Sequence, residues 1–205
     1  GTMTIAVDAT DTDRAILRVR QTIPVAQAGP LTLRFPEWLP GNHAPRGQIE
    51  KLAGLTIRAG NRVLPWKRDV HDVYAFHITV PEGARAVEAR FEFLSATDPD
   101  QGRVVVTPVM INLQWQSVSL YPAGWATKDM PVRASVTWPT GWKAGTALRP
   151  AKVEGDRVQY QTVDYETLID SPVFAGRNFA AVGLGQNVTL NIVADRPRDL
   201  VMKAD

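Results

Sequence analysis

Apolar and polar residues alternate with period two in many short runs along this chain. "AVEARFEFL" sets Val87, Ala89, Phe91 and Phe93 on one side and Glu88, Arg90 and Glu92 on the other. "VRASVTW" opposes Val132, Ala134, Val136 and Trp138 to Arg133, Ser135 and Thr137, and "NVTLNIV" repeats the pattern with Val188, Leu190 and Ile192. Successive side chains of a strand point to opposite faces. The alternation therefore predicts antiparallel sheets with one face buried and one wet. Weaker runs at "TIAV", "AILRVRQ", "LTLRF", "LTIRA", "VYAFHITV", "RVVVTP", "SVSLY" and "RVQYQ" predict further strands. Prolines and glycines fall between the runs at turn spacing. Only "QIEKLAGL" and "DYETLID" have helical character, and Asp164 stands where its carboxylate can cap the second. The expected fold is all-β, an antiparallel β-sandwich of two packed sheets with short helical turns. Residues 1–194 form one domain in this reading, and 195–205 read as a linker.

One stretch breaks the alternation: "RFPEWLPGNHAPRGQIEKLAGLTI", Arg34 to Ile57. Pro36 biases Phe35 toward extended backbone, which makes Phe35 the expected last residue of a strand. Pro40-Gly41 reads as a turn, proline presetting φ and glycine free to take φ > 0. Architecture alone accounts for such an exit, with Trp38 packing inward to close the sandwich. The other reading is a loop that offers His43 or Arg46 to a ligand.

Composition narrows the function classes. A charge of +2 over 205 residues, with no Lys/Arg run interleaved with aromatics, argues against nucleic-acid binding. No apolar stretch approaches the roughly 20 residues that cross a bilayer as a helix. The absence of cysteine excludes disulfides, thiolate zinc sites and cysteine nucleophiles. No H-E-x-x-H or G-x-S-x-G is present. His71 and His77, six residues apart, would share a face of one continuous strand with Asp69 and Asp72 nearby; the plain alternative is a set of solvent-facing residues. "DPDQG" lacks the later bidentate glutamate of a calcium loop and reads as a polar hairpin. Asn187-Val188-Thr189 has the form of a glycosylation sequon inside a strand. Six tryptophans admit a sugar-stacking platform, although Trp66, Trp138 and Trp142 lie beside Pro or Gly turns where large rings close core ends. No catalytic or metal residues are assigned within the chain.

Three segments in order carry a resemblance: "LTLRFPEWLPGNHAPRGQIEKLAGL", "WPTGWKAGTAL" and "VDYETLIDSPVFAG". Together they resemble the amino-terminal domain of the glycyl aminopeptidase family of zinc metallopeptidases, many of which carry a PDZ domain. The resemblance runs from about Ala15 to Asp195. It implies a thermolysin-like catalytic domain outside this chain, holding the zinc. It also implies that "DRPRDLVMKAD" is a linker toward that domain, that this domain docks on it through a face able to self-associate, and that the compartment is periplasmic or secreted. More distantly the chain is similar to the amino-terminal domain of the aminopeptidase N and leukotriene-hydrolase superfamily. There a Gln-Cys-Glu or Gln-Cys-Gln stretch meets the amino terminus of the substrate peptide. Gln114-Trp115-Gln116 is similar in spacing and place, which makes Gln116 and Gln114 the candidate substrate-binding residues. An ordinary strand with two solvent-facing glutamines fits the alternation equally. The expected function is a non-catalytic domain that walls the cleft of a zinc aminopeptidase; the alternative is an independent β-sandwich binding module for carbohydrate.

Overall fold

A computed structural model describes residues 1–39, 41, 43–186 and 188–200. The alternating runs build one large sheet in the order Pro150–Glu154, Arg157–Tyr160, Pro131–Thr137, Met3–Asp11, Ile16–Pro24, Ala86–Leu94, Leu52–Ala59 and Arg62–Leu64. Val163–Asp164 pairs with the other end of Pro131–Thr137. Among the described residues the ladders are antiparallel with one exception. Met3–Asp11 runs parallel to Pro131–Thr137, Ile5 standing opposite Ala134. Alternation reports which face of a strand is buried but carries nothing about its neighbour's direction, so only the fold reveals this pair.

Two smaller sheets cover the apolar face. One runs Tyr121–Pro122, Gly29–Arg34, Ala75–Val80, Lys67–Arg68; the other runs Lys143–Gly145, Val173–Gly176, Met110–Leu113. Ile5, Val19, Ile57, Phe91 and Val136 of the large sheet share a single core with Leu33, Phe76 and Ile78, and with Ile111, Leu113 and Val173. This is the expected all-β, sandwich-like arrangement. The hairpin of Asn178–Gly185 and Val188–Ala194 projects from it with Leu184, Val188 and Leu190 exposed.

Several local expectations give way. "QIEKLAGL" forms only one 3₁₀ turn, Ile49–Lys51, before the strand Leu52–Ala59 takes over. Pairing with Ala86–Leu94 wins over weak helical propensity, and Gly54, at φ 63°, allows the irregularity in that ladder. "RVVVTP" is no strand but an extended segment with one bridge, Val106 to Ile111. "SVSLY" gives a 3₁₀ turn, Trp115–Val118, and then the two-residue strand Tyr121–Pro122. "DPDQG" forms a 3₁₀ turn, Pro99–Gln101, capped by Asp98. Trp38 points outward at 61% exposure, opposite to the packing expected of it. Trp138 is buried, whereas Trp66 and Trp142 are half-buried against the core. The helix at "DYETLID" is real: Tyr165–Ile169 begins at Asp164, whose carboxylate accepts the Thr167 N–H at 2.8 Å. Pro40 and Asn187 lie outside the described residues. Of the expected turn Gly41 is seen, at φ 74°; of the expected linker the described part is a 3₁₀ turn, Pro197–Leu200.

Candidate functional site

Leaving the strand Gly29–Arg34, the chain crosses one end of the core and returns. The Phe35 N–H donates to Tyr74 O at 2.9 Å, which keeps the exit beside the strand Ala75–Val80. The Glu37 carbonyl then accepts the N–H groups of both Arg46 and Gly47, at 2.9 and 3.0 Å, and so closes the loop. The Tyr74 hydroxyl donates to Gly47 O at 3.0 Å. A Cβ on Gly47 would lie 2.0 Å from Pro36 O, so this crossing is open only to glycine. The odd order of residues in the quoted stretch is therefore the requirement of a pinned loop, and Arg46 and Gln48 stand on its inner rim.

The opposite rim is the segment after Met110–Leu113. Gln114 is extended, and Trp115 starts a 3₁₀ turn whose four residues are all buried. Buried polar contacts hold this turn from several sides. The Trp115 indole N–H donates to Ser171 O at 3.0 Å. Ser119 Oγ donates to Trp115 O at 2.7 Å and lies 2.8 Å from the Tyr165 hydroxyl. Gln21, buried within the apolar face of the large sheet, accepts the Leu120 N–H at 2.8 Å and donates to Leu120 O at 2.6 Å. Burial first, opposed by the Ser119 contact, drives the Tyr165 phenol far above its ordinary pKa, so it stays a neutral hydrogen-bonding group. The helix at "DYETLID" thus serves the turn. Asp164 caps it, Tyr165 and Leu168 face the core, and Ser171 ends it with the carbonyl that holds Trp115.

Between the two rims is a cavity of about 420 Å³, lined by Phe35, Arg46, Gln48, Arg103, Gln114 and Gln116 among others. Arg103 reaches it from the turn after Pro99–Gln101, which the Lys51 ammonium ties to the loop through Gln101 O at 2.8 Å. Gln114 and Gln116 come together, the Gln116 amide donating to Gln114 Oε1 at 3.0 Å. They do so across a strand end and a 3₁₀ turn, not along one strand face. Nor is Gln116 a solvent-facing glutamine: it is 8% exposed, and its Oε1 is buried with no hydrogen-bond donor among the described residues. A buried amide oxygen left in that state costs about 1–3 kcal/mol.

The remaining candidates fall elsewhere. His43 is exposed outside this lining. His71 sits in a turn, not on the strand of His77. His77 engages Asp69 Oδ2 at 2.8 Å and Thr32 Oγ1 at 3.0 Å. The His77 contact, followed by the His71 and Asp72 backbone N–H groups, holds the Asp69 carboxyl far below the usual range. Among the described residues no three His, Cys, Asp or Glu side chains converge as a metal site would need. The two strongly exposed indoles, Trp38 and Trp125, border different hollows.

Against known proteins, the family model for the Peptidase M61 N-terminal domain matches residues 4–177. This chain belongs to that family. The resemblance read from the three motifs is borne out. A solved aminopeptidase N family protein from Idiomarina loihiensis superposes with a TM-score of 0.74 at 15% identity, over 93% of this chain and 32% of that one. Yeast LTA4 hydrolase in complex with bestatin superposes with a TM-score of 0.55 at 8% identity, over 93% and 30%. At such identities the likeness shows the shared fold. The chain spans about a third of the length of these structures. No curated protein matches it in sequence. Within the M61 amino-terminal domain, Gln114 and Gln116, the candidates taken from spacing, line this cavity together with Arg103 and Gln48, to which no motif pointed. Neither "DPDQGR", which carries Arg103, nor "RGQIEK", which carries Gln48, offered a sign of this, because their meeting depends on how the turn packs on the loop.

Proposed function

We propose that this M61 amino-terminal domain is the non-catalytic part of a zinc-dependent aminopeptidase. It walls the substrate cleft of a catalytic domain, and Gln116 meets the amino terminus of the peptide. The observation that carries the reading is the Gln116 amide: nearly buried, aligned by Gln114, lining a cavity, and short of a donor for its oxygen. A peptide α-ammonium is a donor of the required kind, and a side-chain shift of Gln116 toward the cavity brings the oxygen to it. Zinc chemistry would belong to the accompanying domain; this chain binds and orients. The exposed Leu184, Val188 and Leu190 of the projecting hairpin support an apolar face that docks. The compartment proposed for the whole protein, on family habit, is periplasmic or extracellular.

The test is Gln116→Ala in the protein that carries both domains. Loss of one positioning hydrogen bond should lower kcat/KM on alanyl or glycyl amides by about three- to tenfold, with zinc content unchanged. Gln114→Ala, which removes the aligning partner, should give a smaller fall. Full activity in Gln116→Ala would reduce the turn to cleft wall, and a two-domain protein that cleaves no such amide would remove the aminopeptidase assignment itself.

A further inference from the structure

The cavity that holds Gln116 carries a second polarity. Arg46 and Arg103 enter it from separate segments, the pinned loop and the turn after Pro99–Gln101, and both are exposed. Neither pairs with a carboxylate among the described residues. Arg18, Arg20 and Arg34 each have an acidic partner, whereas Arg133 and Arg157, on the sheet face, share with Arg46 and Arg103 the lack of one. What sets Arg46 and Arg103 apart is that they meet at one cavity with the Gln116 amide. The Gln48 amide lies beside them, about 3.6 Å from the Cβ that Gly102 would bear, and adds neutral donor and acceptor capacity. Acidic side chains are near but do not line the space. Glu37 and Glu50 act on Tyr74, whose phenol burial first and then these charges push upward. One wall thus has an amide whose oxygen, buried behind the lining, is short of a donor, and the other has two guanidiniums without a carboxylate. Guanidinium groups match carboxylates in charge and in the fork of their N–H donors.

We propose that Arg46 and Arg103 form a carboxylate-binding subsite, so that the preferred ligands are short zwitterionic peptides: ammonium at Gln116, carboxylate at the two arginines. This rests on the reading of Gln116 as the amino-terminal contact. The carboxylate has two sources, the free carboxyl terminus of a dipeptide or an acidic side chain at the second position. A cavity of about 420 Å³ has room for a dipeptide.

The experiment is a titration of this isotope-labelled chain, followed through its backbone amide resonances. The probes are alanyl-alanine, alanyl-alanine amide, N-acetyl-alanyl-alanine and alanyl-aspartyl amide. Alanyl-alanine should shift Gly47, Gln48, Gln114 and Ser117, and its amide should bind about three- to tenfold more weakly at low salt. The gap should narrow as ionic strength rises. In Arg46→Gln/Arg103→Gln the acid and amide should bind alike, with the melting temperature of the parent. If alanyl-aspartyl amide recovers the affinity of alanyl-alanine, side-chain carboxylates serve as well; if it binds like alanyl-alanine amide, the terminal carboxylate alone is read. Equal binding of acid and amide by the parent, with acetylation abolishing both, overturns the anion subsite and leaves the Gln116 contact standing. A strong acid preference that survives acetylation does the reverse. No shifts at these positions with any probe overturn both.

Discussion

A hollow larger than the candidate site lies on the large sheet, and the contrast between the two shows what marks a site. On the wet face of the large sheet a depression of about 720 Å³ is lined by Arg18, Arg20, Arg90 and Arg157. Three of these four guanidiniums are answered by carboxylates within the fold. Arg18 meets Asp11 at 2.6 Å and Glu92 at 3.2 Å, while Arg20 and Arg90 share Glu88 at 2.6 and 2.7 Å. Burial would raise the Glu88 pKa, but Arg20 and Arg90 prevail and hold it below the usual range. Arg157 reaches Ser135 Oγ at 3.4 Å. The Gln116 cavity is smaller, at about 420 Å³, yet it is lined by an amide whose buried oxygen has no donor and by two guanidiniums without a carboxylate. Cross-strand pairs on a solvated face stabilise a sheet by neutralising themselves. A recognition site must leave capacity unspent. Size separates the two hollows poorly; polar satisfaction separates them well.

The heaviest blow to that contrast should come from Trp115→Ala. Trp115 is fully buried, packs edge-on against Tyr160 with ring centroids 6.2 Å apart, and anchors the turn that carries Gln116. Its loss should cost about 3–5 kcal/mol, a fall in Tm of roughly 10 °C for a domain of this size. The Gln116 cavity should collapse while the outer sheet face keeps its pairs. Thermal melting with amide hydrogen exchange checks both halves, and uniform loss of protection across both regions would dissolve the distinction.

A milder change acts through the helix behind the site. Thr167, through its hydroxyl and then its backbone N–H, holds the Asp164 carboxyl below its ordinary value. A depressed folded pKa means that the cap's contribution is complete above the unfolded value near about 3.9 and is lost as pH falls through the folded one. Asp164→Ala should therefore lower stability by about 1 kcal/mol at neutral pH, and the gap to the parent should close below about pH 4. Melting curves of both proteins across that range test it; a gap that persists in acid would mean that Asp164 acts otherwise than as a charged cap.

The smallest effect belongs to the outer face. Arg20→Gln breaks an exposed pair and should change stability by less than about 0.5 kcal/mol, with no change in the binding of alanyl-alanine. Weakened peptide binding in this variant would make the large hollow the recognition surface and reverse the comparison.

Strand periodicity, the all-β class, the Asp164 cap and the family motifs were all legible along the chain, because each depends on neighbours within a few residues. Gln116 was a candidate by analogy of spacing alone, and the strand assumed to carry it is a 3₁₀ turn held by Gln21, Ser119, Tyr165 and Ser171. What tertiary structure alone decided depends on contacts between distant segments. Trp38 faces outward because the loop it belongs to is closed by Glu37 and Gly47 and crosses the core end with Phe35 and Pro36 buried beneath it. Met3–Asp11 runs parallel to Pro131–Thr137 although both strands show the same alternation. Arg46 and Arg103 share a cavity across two distant segments, with Lys51, just past the loop, bonded to Gln101 O in the turn at Pro99–Gln101. Local periodicity encodes which face of an element is buried; which elements meet, and which charges are left unanswered where they meet, is decided only when the whole core closes.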